Sequence, residues 1–165
     1  LAPILTFTAE EVWLALPGWP DKTESVHLAR LPEVNEAWLD PKLADTWKTL
    51  VNVKAEVTKA IETARQAKVV GHSLDARVTI GASGELRTLL ETHREDLRSL
   101  LIVSDVTIGD AAASEDAFQS AEIAGLTVGV ERAKGAKCQR CWIYSETVGT
   151  NAEHPTICTR CRGNL

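Results

Sequence analysis

The chain has 165 residues, of which 44% are hydrophobic and 25% charged, and its formal net charge is -5. This composition is typical of a globular protein of one or two domains and excludes a disordered chain. No apolar run approaches the roughly eighteen residues of a membrane span, and the first residues resemble neither a signal peptide nor a transit peptide. We therefore expect a reducing, cytoplasmic setting and no membrane partner. Because the sequence contains no methionine, we also expect it to be a segment of a longer protein.

The first helix is predicted from a capping box. Thr8 and Glu11 have the spacing at which a hydroxyl and a carboxylate satisfy the first backbone N–H groups of a helix. The helix should begin at Thr8 and stop before Pro17 and Gly18. Residues 17–37 are rich in proline and without periodicity, which predicts a loop.

A longer helix follows. Asp40 and Pro41 favour a helix start, and the apolar residues that come after them recur at the three-and-four spacing of one helix face. The helix is predicted to run to about Val69 and to end through a left-handed Gly71. Two helices cannot enclose a core, so their apolar faces, with Trp13 and Trp47, are expected to need partner helices upstream of residue 1.

From Gly71 onward the pattern predicts a small α+β unit. Residues 76–80 alternate as a strand, residues 84–93 form a short amphipathic helix, and further strands are predicted over 101–108 and 123–131, with a loop over 110–122. The predicted fold class is α+β.

All four cysteines lie near the end of the chain, in the pattern C-x2-C-x16-C-x2-C. Each C-x2-C turn aims two sulfurs at one point, and four thiolates complete the tetrahedron of a structural zinc site with no position left for water or substrate. The predicted ligands of a single Zn²⁺ are Cys138, Cys141, Cys158 and Cys161. Two disulfides would need an oxidising compartment, a redox pair would need a thioredoxin-like context, and His154 is expected to be a surface residue rather than a ligand.

The cysteine segment is also the basic part of the chain. Residues 131–165 carry six basic and three acidic side chains, a balance of +3, which leaves -8 for residues 1–130. Arg140 and Arg160 precede the second cysteine of each pair, where they would either offset the charge of a zinc–thiolate centre or contact phosphates. Trp142 would either pack over the metal or stack on an unpaired base. The predicted nucleic-acid contacts are Lys134, Lys137, Arg140, Trp142, Arg160 and Arg162.

Three stretches resemble one family. PILTFTAEEVW (residues 3–13) resembles the helix entry of the anticodon-binding bundle in class I synthetases for isoleucine, valine and leucine. NVKAEVTKAIETARQAKVVGHSLDA (residues 52–76), and KCQRCW (137–142) with HPTICTRC (154–161), are similar to the long helix and the zinc-binding end of bacterial isoleucyl-tRNA synthetases. Lys54 and Ile143 depart from that pattern, where arginine and histidine are common.

The resemblance implies a division into 1–70, the last helices of an anticodon-binding bundle; 71–133, an α+β subdomain; and 134–165, a four-cysteine zinc ribbon. It implies that the parent is a monomeric enzyme that joins isoleucine to its tRNA with ATP and Mg²⁺. The HIGH and KMSKS signatures that bind ATP in this family are absent here, so no catalytic residue is predicted. The expected partners are the anticodon stem-loop of isoleucine tRNA and the upstream domains of the same chain.

Two other functions fit the cysteine pattern. Formamidopyrimidine-DNA glycosylases end in a zinc finger with the same sixteen-residue gap, which would make the ribbon a DNA-binding element. A third hypothesis is a purely structural cap, in which the ribbon only braces the helical bundle. Binding of tRNA compared with duplex DNA separates these hypotheses.

Overall fold

The computed structural model describes residues 1–110 and 116–165 and divides into two compact units, Leu1–Asp40 and Pro41–Leu165. Among the described residues, no helix is long and apolar enough to cross a membrane. Helices together with a mixed sheet confirm the predicted α+β class.

The first unit contains helix α1 (Thr6–Ala15) and two short 3₁₀ turns, Val26–Leu28 and Glu36–Trp38. Trp13 makes two of the contacts within this unit. Its indole Nε1 donates to the Thr23 carbonyl oxygen at 2.8 Å, and its ring packs edge-on against that of Trp19 with the centroids 5.1 Å apart. Glu10 accepts hydrogen bonds from the hydroxyl of Ser25 and the N–H of Val26, each at 2.9 Å. These contacts hold the predicted loop against the helix.

The predicted capping box at Thr8 is wrong. Helix α1 begins at Thr6, and its N-cap residue, Leu5, makes no side-chain capping bond. A backbone turn over residues 1–5 leads directly into the helix, and Leu5 already accepts the first helical bond from the N–H of Ala9 at 2.7 Å. Thr8 and Glu11 therefore lie inside the helix and have no free terminus to cap.

The second unit begins with helix α2 (Pro41–Gln66), which starts where Asp40 and Pro41 predict. It ends three residues earlier than predicted, and the left-handed residue is Lys68 (φ 60°), not Gly71. The N–H of Val69 donates to the Ala64 carbonyl at 2.9 Å, which closes the usual left-handed helix terminus.

A four-stranded sheet of order β2-β1-β4-β3 is formed by β1 (Ala76–Gly81), β2 (Asp105–Ile108), β3 (Phe118–Gln119) and β4 (Thr127–Arg132). β2 is parallel to β1, whereas β4 is antiparallel to both β1 and β3. Helices α3 (Gly84–Thr92) and α4 (Arg94–Leu101) connect β1 to β2. The predicted strand at 76–80 and helix at 84–93 are confirmed.

The other strand predictions need correction. Residue 101 ends α4, and Ile102 adopts a left-handed conformation (φ 57°), so β2 starts only at Asp105. The strand predicted over 123–131 begins at Thr127, because residues before it form a turn in which the N–H of Leu126 donates to Ile123. The predicted loop at 110–122 contains β3, and residues 111–115 lie outside the described residues.

The core of the second unit lies between α2 and the sheet. Among the residues that the structure describes, fifteen buried ones form it, including Leu50, Val53 and Val57 of α2 and Val78, Ile80 and Val128 of the strands. The prediction that the apolar face of α2 needs partner helices upstream of residue 1 is therefore wrong for the part of that face between Leu50 and Ile61, which is buried within the unit. The alternating strand residues of the α+β unit cover that face instead.

The chain closes with a ribbon: a two-stranded sheet of β5 (Ala136–Lys137) and β6 (Tyr144–Ser145), followed by helix α5 (Thr159–Arg162). Ser104, which is buried, joins the ribbon to the sheet. Its hydroxyl oxygen accepts from the N–H of Tyr144 at 2.7 Å and donates to the Leu74 carbonyl. Leu74 also packs against the cysteine cluster.

Candidate metal centre and nucleic-acid interface

Two tight turns bring the four cysteines together. In the first, the N–H of Cys138 donates to Ile143 at 2.8 Å and the N–H of Trp142 donates back to Cys138 at 2.9 Å. In the second, Cys158 is the N-cap residue of α5 and its carbonyl accepts from Arg162 at 3.0 Å. The N–H of Cys158 also donates to the sulfur of Cys138 at 3.3 Å, which joins the two turns.

The four sulfurs lie within 4.8 Å of one another. None is in a disulfide, and the Sγ atoms of Cys141 and Cys158 are 3.8 Å apart. A regular tetrahedron with Zn–S bonds of about 2.3 Å has edges of about 3.8 Å, so this separation fits a zinc ion at the centre. His154 is not part of the cluster; its N–H donates to Asn151.

The four thiols differ in how readily they ionise. Burial opposes ionisation of Cys138, but hydrogen bonds from the N–H groups of Cys141, Cys158 and Arg140 outweigh it and lower its pKa to about 6. Burial and hydrogen bonding with the other thiols raise the pKa of Cys161 to about 12. Four adjacent thiolates repel one another unless a cation lies between them, so the donor set fits Zn²⁺, which would fix the two turns and supply no open coordination position.

Ile143 and Trp142 differ sharply in burial. Ile143 is 8% exposed and belongs to the buried cluster with the cysteines, whereas Trp142 is 60% exposed. Trp142 has a left-handed backbone conformation (φ 66°), and its side chain is not part of the buried cysteine cluster. The interpretation that Trp142 packs over the metal is therefore wrong. Lys137 lies over the same ring, with Nζ 5.9 Å from the centroid.

The six predicted contact residues have different surroundings. Lys137 and Trp142 pair on the first turn, and Arg140, Arg160 and the second-turn residue Asn164 surround a notch beside Cys141. Arg140 is held there, since its Nη1 donates to the carbonyls of Cys161 (2.8 Å) and Asn164 (3.2 Å). Arg162 is exposed on α5.

Lys134 lines a cleft between the ribbon and the sheet, and none of the other five residues does. Sequence analysis missed two other basic residues of this cleft, Arg77 and Arg98. No motif marks them, because they come from a strand and a helix that only the fold brings together.

Two segments of the chain match known protein families. Residues 1–80 match the anticodon-binding domain of tRNA ligases, and residues 135–162 match a zinc finger found in FPG and IleRS. The fold, the cysteine centre and these two matches define an anticodon-binding and zinc-finger segment of a tRNA ligase. The zinc-finger match alone is shared with the glycosylases, but the match over residues 1–80 is not.

Similar curated proteins indicate which kind of tRNA ligase the chain resembles. Isoleucine–tRNA ligases of Syntrophotalea carbinolica and Geobacter sulfurreducens are 44% and 42% identical over 98% of the chain and 17% of their own length. The isoleucine–tRNA ligase of Caldanaerobacter subterraneus subsp. tengcongensis is 44% identical over 100% of the chain and 18% of its length. The chain belongs to the isoleucine–tRNA ligase family, and it spans less than a fifth of the length of these relatives.

Proposed function

We propose that this chain is the part of an isoleucine–tRNA ligase that binds and positions tRNA at the anticodon end. The ligase as a whole would join isoleucine to its tRNA with ATP and Mg²⁺ in the cytoplasm, as a monomer. Residues 1–70 would supply anticodon-binding helices, 71–133 an α+β subdomain and 134–165 a zinc ribbon. Zinc, held by Cys138, Cys141, Cys158 and Cys161, would keep the ribbon folded, and the chemistry would take place outside these residues.

The observation that carries the proposal is the exposed pair of Trp142 and Lys137 on the zinc ribbon. A large aromatic ring that is 60% exposed has little value for the stability of so small a unit. Such a ring can stack on an unpaired base, and a neighbouring ammonium group can meet the adjacent phosphate. The anticodon loop of a tRNA offers both in one place.

Binding of an isoleucine tRNA transcript to Trp142→Ala tests the proposal. Loss of stacking should weaken binding by about 1–3 kcal/mol, measured by fluorescence anisotropy of labelled tRNA. Trp142→Phe is the matched control, since it keeps an aromatic face and should retain most of the affinity. Because the ring lies outside the buried cluster, zinc content and the urea midpoint should not change in either variant.

Three results would contradict the proposal. If Trp142→Ala bound the tRNA as tightly as the unaltered chain does, the ring would not be part of the interface. Tighter binding of duplex DNA than of tRNA would favour a glycosylase-like function. Failure of the unaltered, zinc-loaded chain to bind tRNA would reduce the ribbon to a structural cap.

A further inference from the structure

A cleft of about 460 Å³ lies where the ribbon meets the sheet. Its walls come from the first residues of β1 and β2, from α4 and from ribbon residues 143–147. Arg77, Arg98 and Lys134 contribute three basic side chains to it, each from a different part of the second unit. Such a concentration of cations in a concave surface is where an anion would be held.

The three cations are not equivalent. Arg77 is neutralised, because its Nε lies 3.0 Å from Asp105 Oδ2 and its Nη1 lies 3.4 Å from Glu131 Oε1. The side chains of Arg98 and Lys134 have no hydrogen-bond or ion-pair partner among the described residues. The only carboxylate lining the cleft besides Asp105, within the part of the chain that is described, is Glu146. Two unpaired cations therefore face one unpaired carboxylate.

Two hydroxyl groups add a donor to the same cleft. Ser145 Oγ and Thr147 Oγ1 lie 2.8 Å apart, so one of them donates to the other. Each oxygen also accepts a backbone N–H, from Thr147 at 3.2 Å and from Thr159 at 3.1 Å respectively. One hydroxyl hydrogen therefore remains without an acceptor among the described residues. A guanidinium, an ammonium and a hydroxyl donor match the non-bridging and ester oxygens that a phosphodiester presents.

We propose that this cleft binds a backbone phosphate of RNA and that the contact surface of the ribbon continues onto the α+β unit. This inference rests on the proposed tRNA-binding function. A free phosphate ion would meet only two unpaired cations in an open cleft, which is too little for stable binding on its own. A phosphate in an RNA that the ribbon already holds arrives at a high effective concentration, and weak donors then suffice.

The experiment compares three variants of the zinc-loaded, 165-residue chain by anisotropy with an isoleucine tRNA transcript at several KCl concentrations. Arg98→Gln should weaken binding and reduce the slope of log affinity against log salt by about 0.7–0.9, the value for one lost phosphate contact. Glu146→Gln should tighten binding, because it removes the opposing carboxylate. Arg87→Gln removes one positive charge from a position on α3, outside the cleft, and should change neither quantity.

Arg98→Gln and Glu146→Gln are expected to change the affinity for tRNA in opposite directions. The test therefore stays informative even if one variant folds poorly, since misfolding cannot tighten binding. Unchanged slopes for both Arg98→Gln and Glu146→Gln, with binding still weakened by Trp142→Ala, would overturn the cleft and leave the proposed function intact. Equal loss of affinity in Arg98→Gln and Arg87→Gln would show only a general charge effect and would also overturn the cleft. Absence of tRNA binding by the unaltered chain would instead refute the proposed function itself.

Discussion

Among the glycines of the ribbon, Gly135 has the least room for a side chain. It precedes β5 with φ 86°, in the left-handed region, and an added Cβ would overlap the carbonyl carbon of Ser145 and the nitrogen of Glu146. The backbone of β6 thus passes directly against Gly135. Any other residue would have to push the two strands apart, which would disturb the turn that carries Cys138 and Cys141.

Gly135→Ala should destabilise the ribbon strongly. The left-handed conformation costs a non-glycine residue about 1–2 kcal/mol, and relief of the overlap adds about 1–3 kcal/mol. Gly149→Ala is a matched control, because Gly149 has nearly the same φ (89°) but nothing within 4 Å of an added Cβ. The stability of both variants is measured by urea unfolding, with the release of zinc to a chromogenic chelator as the signal. Equal losses in the two variants would mean that the strands accommodate the methyl group.

The same ribbon shows which parts of the site the sequence can predict. Spacing alone identifies the four cysteines, because two C-x2-C turns leave few other arrangements for four sulfurs. The burial of Ile143 and the exposure of Trp142 could not be predicted. They accompany a left-handed conformation of Trp142, and no sequence rule anticipates positive φ at a bulky aromatic residue.

At the scale of elements, a buried carboxylate ties α2 to the connection between β3 and β4. Glu56 is 3% exposed, and its Oε2 accepts from the hydroxyl of Ser120 at 2.6 Å, while Oε1 accepts from Lys59 at 2.6 Å. The Ser120 oxygen in turn accepts from the N–H of Ile123 at 2.9 Å. The hydrogen bond from Lys59, and to a smaller extent the one from Ser120, holds the pKa of Glu56 below its ordinary value.

Glu56→Gln should lower stability at neutral pH and flatten its fall in acid. A lowered pKa in the folded state means that the ionised carboxylate contributes stability above the unfolded-state pKa of about 4.3. This contribution is lost as the pH falls through the lower, folded-state pKa. The difference in urea midpoint between the two proteins should therefore be constant from pH 7 to about pH 5 and shrink at more acidic pH.

Glu62→Gln is the control for that measurement. A hydrogen bond from Arg65 lowers the pKa of Glu62 to about 2, but both side chains lie on the exposed surface of α2. Exposed pairs of this kind contribute little and are screened by salt. Added salt should abolish the small effect of Glu62→Gln and leave that of Glu56→Gln. A pH-independent loss in Glu56→Gln would show that the carboxylate charge is irrelevant to the link.

The elements themselves were predictable where one face is buried along a regular period. The long periodic run of α2 and the alternation of β1 are examples, and both begin where the sequence places them. α4 was hidden, because Leu100, Leu101 and Ile102 resemble the start of a strand. Only Leu101 of these three is buried, and it belongs to the last turn of a helix whose packing depends on α2.

At the scale of the second unit, two cores of very different size are joined at Ser104. In the described part of the chain, fifteen buried residues stabilise the sheet and α2, whereas the ribbon has four, and three of those are cysteines. Apolar burial can therefore keep the sheet folded without help. The ribbon has almost no apolar core of its own, so its stability must come from the metal.

Removal of zinc should therefore unfold the ribbon alone. Binding of zinc to small Cys-rich units supplies most of their folding free energy, so a chelator should abolish hydrogen-exchange protection at the N–H groups of Cys138, Trp142 and Tyr144. The amides of Val78 and Val128, in the paired strands β1 and β4, should stay protected. Native mass spectrometry should find a single zinc ion before treatment, and its return should restore protection. If the amide of Val78 lost its hydrogen-exchange protection at the same time, the ribbon would be supporting the sheet through Ser104. If the amide of Cys138 stayed protected, the ribbon would fold without metal.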